Sequence, residues 1–311
     1  MLMSIEKIPH TIQGFSNLEL LARKIVEGYI SGIHKSPFLG FSSEFAEHSR
    51  YNPGESTRHI DWRLYAKTDE LFTKRYEEET NMRCHLIIDN SSSMHYPKVN
   101  NPTLENLNKI GFSVLASACV MQLLKKQSDA VGLSVYSDTY EYYSKEQGSE
   151  RHYRQIYAQL DKLLTQPKEN TSTKTYTYLH QIAEKLPRRS MVLLFTDMLQ
   201  SEKEEEALFE ALQHLTYKKH EVVLFHVLDT ELEKDFDFDN SPKRFTDVES
   251  GAHIDLYADQ VKDLYKQEMQ RYFDEIKIQC HRYRIHYVPV NVKDNFDMVL
   301  QAYLLERRKF K

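Results

Sequence analysis

Cysteine is scarce in this chain of 311 residues: Cys84, Cys119 and Cys280 are the only three. They lie far apart without a CxxC spacing, which excludes a zinc-ribbon or disulfide framework and points to reduced thiols in a reducing compartment. Long apolar runs are missing as well. No stretch approaches the roughly 18 to 20 residues that span a bilayer, and the opening MLMSIEKIPH lacks a signal-peptide core. A cytoplasmic protein is the expectation. Strong basic charge is absent, since the formal net charge is -5 and ERRKFK is the one dense basic cluster. That cluster reads as a solvated helix end whose charge suits the helix dipole, so nucleic acid is not expected as a partner. There is no GxxxxGK[ST] phosphate loop and no GxSxG nucleophile elbow. ATP hydrolysis would have to come from another protein.

What is present is an ordinary globular composition, with 41% hydrophobic and 28% charged residues. Twenty Tyr and 15 Phe against a single Trp argue for a packed interior. From about residue 84 onward, short apolar runs alternate with longer segments of helical period, which predicts βαβ units and a mainly parallel sheet. The strand candidates are CHLIID (84–89), AVGLSVYS (130–137), MVLLFTD (191–197), EVVLFHVLD (221–229) and RIHYVPVNV (284–292). Four are nearly continuous Val, Ile, Leu and Phe runs, as strands buried on both faces require. Helices are predicted over TLENLNKIGFSVLASACVMQLLKKQ, RHYRQIYAQLDKLL, YTYLHQIAEKL, EKEEEALFEALQHLTYKK and ADQVKDLYKQEMQRYFDEIKIQCHRY. DTYEYYS (138–144) follows its strand too closely for a crossover and reads as an antiparallel edge, while RFTDVESGAHIDLY (244–257) reads as a small appended hairpin.

The first 80 residues differ. NLELLARKIVEGYI is an amphipathic helix, and the following 45 or so residues mix Gly, Pro, charge and aromatics without a period, which predicts an ordered subdomain wrapped on the sheet. The expected division is therefore 1–80 for this N-terminal part and 81–311 for the sheet domain.

In an open parallel sheet, ligands collect beyond the carboxyl ends of the strands, where neighbouring crossovers diverge. Asp89 and Asp197 each close an apolar strand. If those strands are neighbours, both carboxylates meet in one crevice, joined by Ser91 and Ser93 from the first loop. NTSTKTYTYLHQ adds Thr171, Thr173, Thr175 and Thr177 as further oxygen donors. Two acids and several hydroxyls form a hard, all-oxygen set that suits Mg²⁺, with Mn²⁺ or Ca²⁺ as alternatives, and does not suit Zn²⁺. Such an ion keeps waters that an outside ligand can displace. A Lys or Arg of this chain lodged between the two acids would exclude the site. Read singly, Ser91 to Ser93 and Asp197 are helix caps, and His85 and His226 are satisfied core or edge histidines.

DNSSSM, a Thr ahead of YLHQIAEKL, and LLFTDM together resemble the metal-ion-dependent adhesion site of von Willebrand factor A domains. The resemblance implies a Rossmann-like, doubly wound α/β fold with one antiparallel edge strand. It assigns the metal to Asp89, Ser91, Ser93, Thr177 and Asp197, although Thr175 offers the same chemistry as Thr177. Met198 stands where that family usually has Gly. Upstream, EFAEHSRYNPGESTRHIDWRLYAKTDELFTKRYEEET resembles the signature of the bacterial family catalogued as domain of unknown function fifty-eight. Arg50, Tyr51, Pro53, Gly54, Arg58, Ile60, Asp61 and Trp62 fit that signature, while Glu55 replaces an Asp and Lys67 an Arg. From the residues alone, YNPGES is a turn, Trp62 an anchor for the subdomain, and Arg58 and Asp61 a local pair.

The resemblance implies a non-enzymatic, metal-dependent protein-binding module. It would grip an acidic side chain of a partner and serve as adaptor or co-chaperone of a MoxR-type AAA+ ATPase; the lack of a spanning apolar run in the sequence adds the expectation of no direct membrane insertion. Two other readings stand beside it. One is a metal-dependent hydrolase or phosphotransferase using the same crevice, although aspartyl-phosphate enzymes place a second Asp where this chain has Ser91. The other is a scaffold whose metal site is vestigial.

Overall fold

The computed structural model describes residues 18–34, 48–50, 62–74, 82–99, 103–104, 106–165, 175–198, 202–246 and 252–310. The signature residues Tyr51 to Asp61 and the loop hydroxyls Thr171 and Thr173 lie outside them, as does the side chain of Trp62. The chain divides into two units, one made of Met1–Glu27 with Met82–Lys311 and the other of Gly28–Asn81. The smaller unit contains a short antiparallel pair, β1 (His48–Arg50) and β2 (Phe72–Lys74), and helix α2 (Trp62–Thr68).

The larger unit is built on β3 (Arg83–Asp89), β4 (Ala130–Tyr136), β5 (Tyr140–Gln147), β6 (Met191–Thr196), β7 (Glu221–Leu228) and β10 (His286–Asn291). These six lie in the order β10-β7-β6-β3-β4-β5, parallel throughout except for β5. The apolar runs explain the centre of the sheet: every residue of β6 is buried, as is all of β3 after Arg83 and all of β7 after Glu221. The fold is thus a doubly wound α/β arrangement of Rossmann type with an antiparallel edge. That edge runs later than DTYEYYS suggests. YEYYSKEQ pairs by its backbone with β4 although its side chains are only half buried, so apolar patterning gives no boundary there.

Helices cover both faces. On one side α5 (Thr175–Lys185), α6 (Glu202–Tyr217) and α7 (Ala258–Arg282) send Leu179, Ile182, Leu208, Leu212 and Ile276 against Ile87, Val192, Leu194 and Leu224 of the strands. On the other lies α3 (Lys109–Lys126), buried from Lys109 to Leu124, with α4 (Glu150–Thr165) and α8 (Asp297–Arg307) beside it. A helix apolar on all sides belongs in such an interior position. It begins at Lys109 rather than at Thr103 because the Asn108 side chain accepts from Gly111 N at 2.9 Å and caps the first turn. The start of α1 (Leu18–His34) buries Leu18, Ala22 and Val26, and its Glu19 accepts from Lys125 at 2.8 Å.

The hairpin is formed by β8 (Pro242–Thr246) and β9 (His253–Tyr257). The basic ERRKFK end is not simply solvated. Arg307 donates from Nε and Nη2 to Asp129 Oδ2 at 3.1 and 2.8 Å, and Asp129 Oδ1 accepts from Met82 N at 3.0 Å, so α8 is tied to the start of the sheet. A buried carboxylate that needs a counter-charge outweighs a preference for solvent. Among the described residues no helix is long and apolar enough to cross a membrane.

Candidate functional site

The strand order reverses direction between β3 and β6. The crossover after β3 runs through α3 on one face, and that after β6 runs through α6 on the other, so their carboxyl ends frame the crevice in which such sheets bind ligands. Asp89 is the last residue of β3, and Asp197 follows β6 directly. Both are buried, as are Ser91 and Ser93. Thr196 ties the two strand ends together by donating its hydroxyl to Asp89 Oδ2 at 2.9 Å.

The first loop is organised by Asp89 itself, whose Oδ1 accepts from Ser91 N at 2.9 Å. A short 3₁₀ turn follows over Ser92–His95, closed by Met94 N donating to Ser91 O at 3.1 Å. Ser91 stands at the cap position of that turn yet makes no side-chain cap bond. Its hydroxyl instead meets that of Ser93 at 3.0 Å. The capping explanation for these serines therefore fails for the Ser91 side chain, and two hydroxyls are left side by side next to a buried acid. Asn90 lines the rim, accepting from His95 Nε2 at 3.0 Å and donating to Glu141 at 3.0 Å.

Burial, and then the charge of Asp197, push the Asp89 carboxyl up to about 7, against the hydrogen bonds from Ser91 and Thr196 that favour its ionised form. The two acids are thus close enough to repel. Asp197 carries a partner that apolar patterning does not reveal. Lys109, fully buried in the first turn of α3, donates to Asp197 Oδ2 at 2.8 Å and to Glu233 Oε1 at 2.5 Å. Burial pulls this ammonium down, but the charges of Asp197 and Glu233 and the bonds to both outweigh it and hold it above its ordinary value. Its hydrogen bonds run to Asp197 and Glu233 and none to Asp89, so it covers one acid rather than bridging the pair.

Glu233 comes from a π-helical turn, Thr230–Lys234, whose entry is fixed by Asp229 accepting from Leu232 N at 3.2 Å and by Glu233 Oε2 accepting from Asp229 N at 2.8 Å. Behind Asp197, His226 Nε2 donates to the Asp197 carbonyl and its Nδ1 accepts from Tyr287, both at 2.8 Å. Burial lowers this imidazole to about 4, so it is a neutral strut. His85 is likewise satisfied, between Glu146 at 2.6 Å and Ser134 at 2.7 Å. Met198 adopts a left-handed φ of 57° with its side chain buried, and its carbonyl accepts from the Tyr272 hydroxyl. A residue without a Cβ would adopt that backbone at less cost.

Thr177 lies in the first turn of α5 with its side chain exposed, and among the described residues it makes no hydrogen bond to Asp89 or Asp197. Asp89, Ser91, Ser93 and Asp197 are therefore gathered at one crevice, and Thr177 stands at the head of α5 without a hydrogen bond to any of them among the described residues. No group of three or more His, Cys, Asp or Glu residues forms a metal cage among the described residues. Lys109, Thr196 and Glu233 belong to the crevice although strand-end reasoning does not find them. One signal was available for Lys109, as the lone charge at the head of a helix apolar on every side.

Comparison with known proteins places the chain in a family and finds relatives and similar solved structures. Residues 47–273 match the family described as "Protein of unknown function DUF58". Uncharacterized proteins of Mycobacterium bovis and Mycobacterium tuberculosis are 26% identical over 88 residues, and the match spans 28% of this chain and 28% of theirs. The conserved hypothetical protein BatB of Bacteroides thetaiotaomicron aligns over 73% of this chain and 98% of its own at 15% identity and a TM-score of 0.46. An aerotolerance-related membrane protein of Bacteroides fragilis aligns over 73% and 99% at 16% identity and a TM-score of 0.43.

Proposed function

We propose, for a chain that belongs to the DUF58 family of proteins of unknown function, a non-enzymatic role as a divalent-cation-dependent protein-binding module. The observation that carries this reading is the junction of β3 and β6, where Asp89 and Asp197 close adjacent parallel strands and the Ser91 and Ser93 hydroxyls face each other at 3.0 Å. The donor set fits a hard cation. Among the described residues, Asp89 and Asp197 bring carboxylates and Ser91 and Ser93 hydroxyls to the crevice, Lys109 holds Asp197 and Glu233, and every candidate ligand is an oxygen.

Asp89, Ser91 and Ser93 would hold Mg²⁺, or Mn²⁺ or Ca²⁺, with Asp197 from the third loop and Thr177 or Thr175 from the start of α5, as in the adhesion site of von Willebrand factor A domains. The ion supplies a coordination position open to an acidic side chain of another protein. Ser91 N and Thr196 orient the Asp89 carboxylate by donating to its two oxygens. Lys109 fixes Asp197 and neutralises part of the charge that would otherwise repel an acidic partner. The family resemblance names that partner as a MoxR-type AAA+ ATPase, an acidic client of it, or both. Three free, buried cysteines support a reducing, cytoplasmic setting.

The test is affinity capture from native lysate with wild type, Asp89→Ala and Ser91→Ala, each in Mg²⁺ and in EDTA. An AAA+ ATPase or an acidic client should be retained by wild type in Mg²⁺ and lost in the other conditions. An interactome indifferent to both substitutions and to EDTA would refute the proposal and leave the scaffold reading.

A further inference from the structure

His180 of α5 and His214 of α6 turn the same ring nitrogen toward each other, Nδ1 to Nδ1 at 3.1 Å. The contact is partly open to solvent, with 26% of the His214 side chain exposed. Neither ring belongs to the strand-end crevice. Two features make the pair more than a packing contact.

The first is distance. At the usual imidazole-to-zinc bond length, two nitrogens on one ion stand about 2.9 Å apart at a right angle and about 3.3 Å apart at the tetrahedral angle. The observed separation lies between these. The second is the group behind His214. Glu184 Oε1 sits 3.0 Å from His214 Nε2, and a carboxylate can only accept, so that nitrogen carries a hydrogen. In the tautomer with its hydrogen on Nε2, His214 presents its Nδ1 lone pair toward His180. A carboxylate holding the far nitrogen of an imidazole is the arrangement that orients metal-binding histidines. Glu184 is itself held by Lys218, whose Nζ donates to Oε2 at 2.9 Å.

We infer that His180 and His214 form a two-point chelate for a borderline transition-metal dication such as Zn²⁺ or Cu²⁺, oriented by Glu184 and completed by solvent, that clamps α5 to α6. In the metal-free pair a single proton lies between the two Nδ1 atoms. On binding, His180 passes from its Nδ1–H to its Nε2–H tautomer and both Nδ1 lone pairs turn to the ion, so this step releases no net proton. Mg²⁺ does not compete, because imidazole pairs favour borderline ions and Mg²⁺ favours oxygen. The site is separate in residues and in metal class from the oxygen crevice.

Untagged full-length protein, stripped with EDTA and kept in excess Mg²⁺, is titrated with Zn²⁺ by calorimetry, and the histidine ring resonances are followed by NMR. Wild type should show one site per chain with shifts at His180 and His214. His180→Ala and His214→Ala should each weaken it at least about tenfold, and Glu184→Gln, which leaves both ligands in place, by about tenfold. Circular dichroism confirms that the variants are folded. Equal Zn²⁺ affinity in wild type and both alanine variants, or wild-type rings that do not respond to Zn²⁺, would overturn the assignment.

Discussion

Lys109 donates to Asp197 at 2.8 Å across 88 positions of chain, and so binds the head of α3 to the end of β6 inside the crevice. The two groups are 0% and 4% exposed at their side chains, which makes this a buried ion pair with Glu233 as its third member.

Lys109→Met keeps the aliphatic stem and deletes the charge. Asp197 and Glu233 then lose the Lys109 ammonium, at a cost of about 3–5 kcal/mol in EDTA by urea unfolding. Mg²⁺ should restore more stability to this variant than it adds to wild type, because the ammonium no longer occupies Asp197. Identical Mg²⁺ responses would speak against a cation in the crevice.

Asp89 gives the crevice a pH signature. Its folded carboxyl titrates at about 7, above the ordinary value of 3.8, because of burial and then the Asp197 charge. The folded state therefore holds the proton more tightly than the unfolded chain, and metal-free stability falls as pH rises from about 4 to about 7 by at most about 4 kcal/mol. Asp89→Asn, neutral and of the same shape, should flatten that slope. Urea midpoints across the same range, in EDTA, give the comparison, and parallel curves would contradict the assigned cause.

Met198 sets two effects against each other. Glycine there would relieve the left-handed backbone, worth about 1 kcal/mol, but would empty the volume of a fully buried side chain, worth about 2–5 kcal/mol. Met198→Gly should therefore lower stability despite the relaxed backbone. A rise in melting temperature would show that backbone strain at Met198 outweighs the packing of its side chain.

The central strands were legible because their residues are buried on both faces: the runs beginning at Cys84, Ala130, Met191 and Glu221 end within a residue of the observed strands. Asp89 and Asp197 were legible for the same reason, as acids where apolar runs stop. The edge strand β5 was placed only roughly, since pairing through backbone leaves a weak side-chain pattern. The pairing of Lys109 with Asp197 and Glu233 left no local trace, although a charge at the head of an apolar helix marks Lys109 itself. A lysine is an exposed residue by default, and its acids lie 88 and 124 positions away, beyond any local period. Thr177 falls where the helical period of YTYLHQIAEKL puts it, in the first turn of α5, with its side chain exposed.

The tie from Arg307 to Asp129 has a bearing on how the polypeptide is made. Asp129 Oδ1 already holds the amide of Met82 at the threshold of the sheet unit, while its counter-charge is encoded 178 positions downstream. During synthesis on the ribosome, β3 and β4 emerge long before α8, and the acid between them waits uncompensated. The unit reaches its full stability only once α8 has been translated.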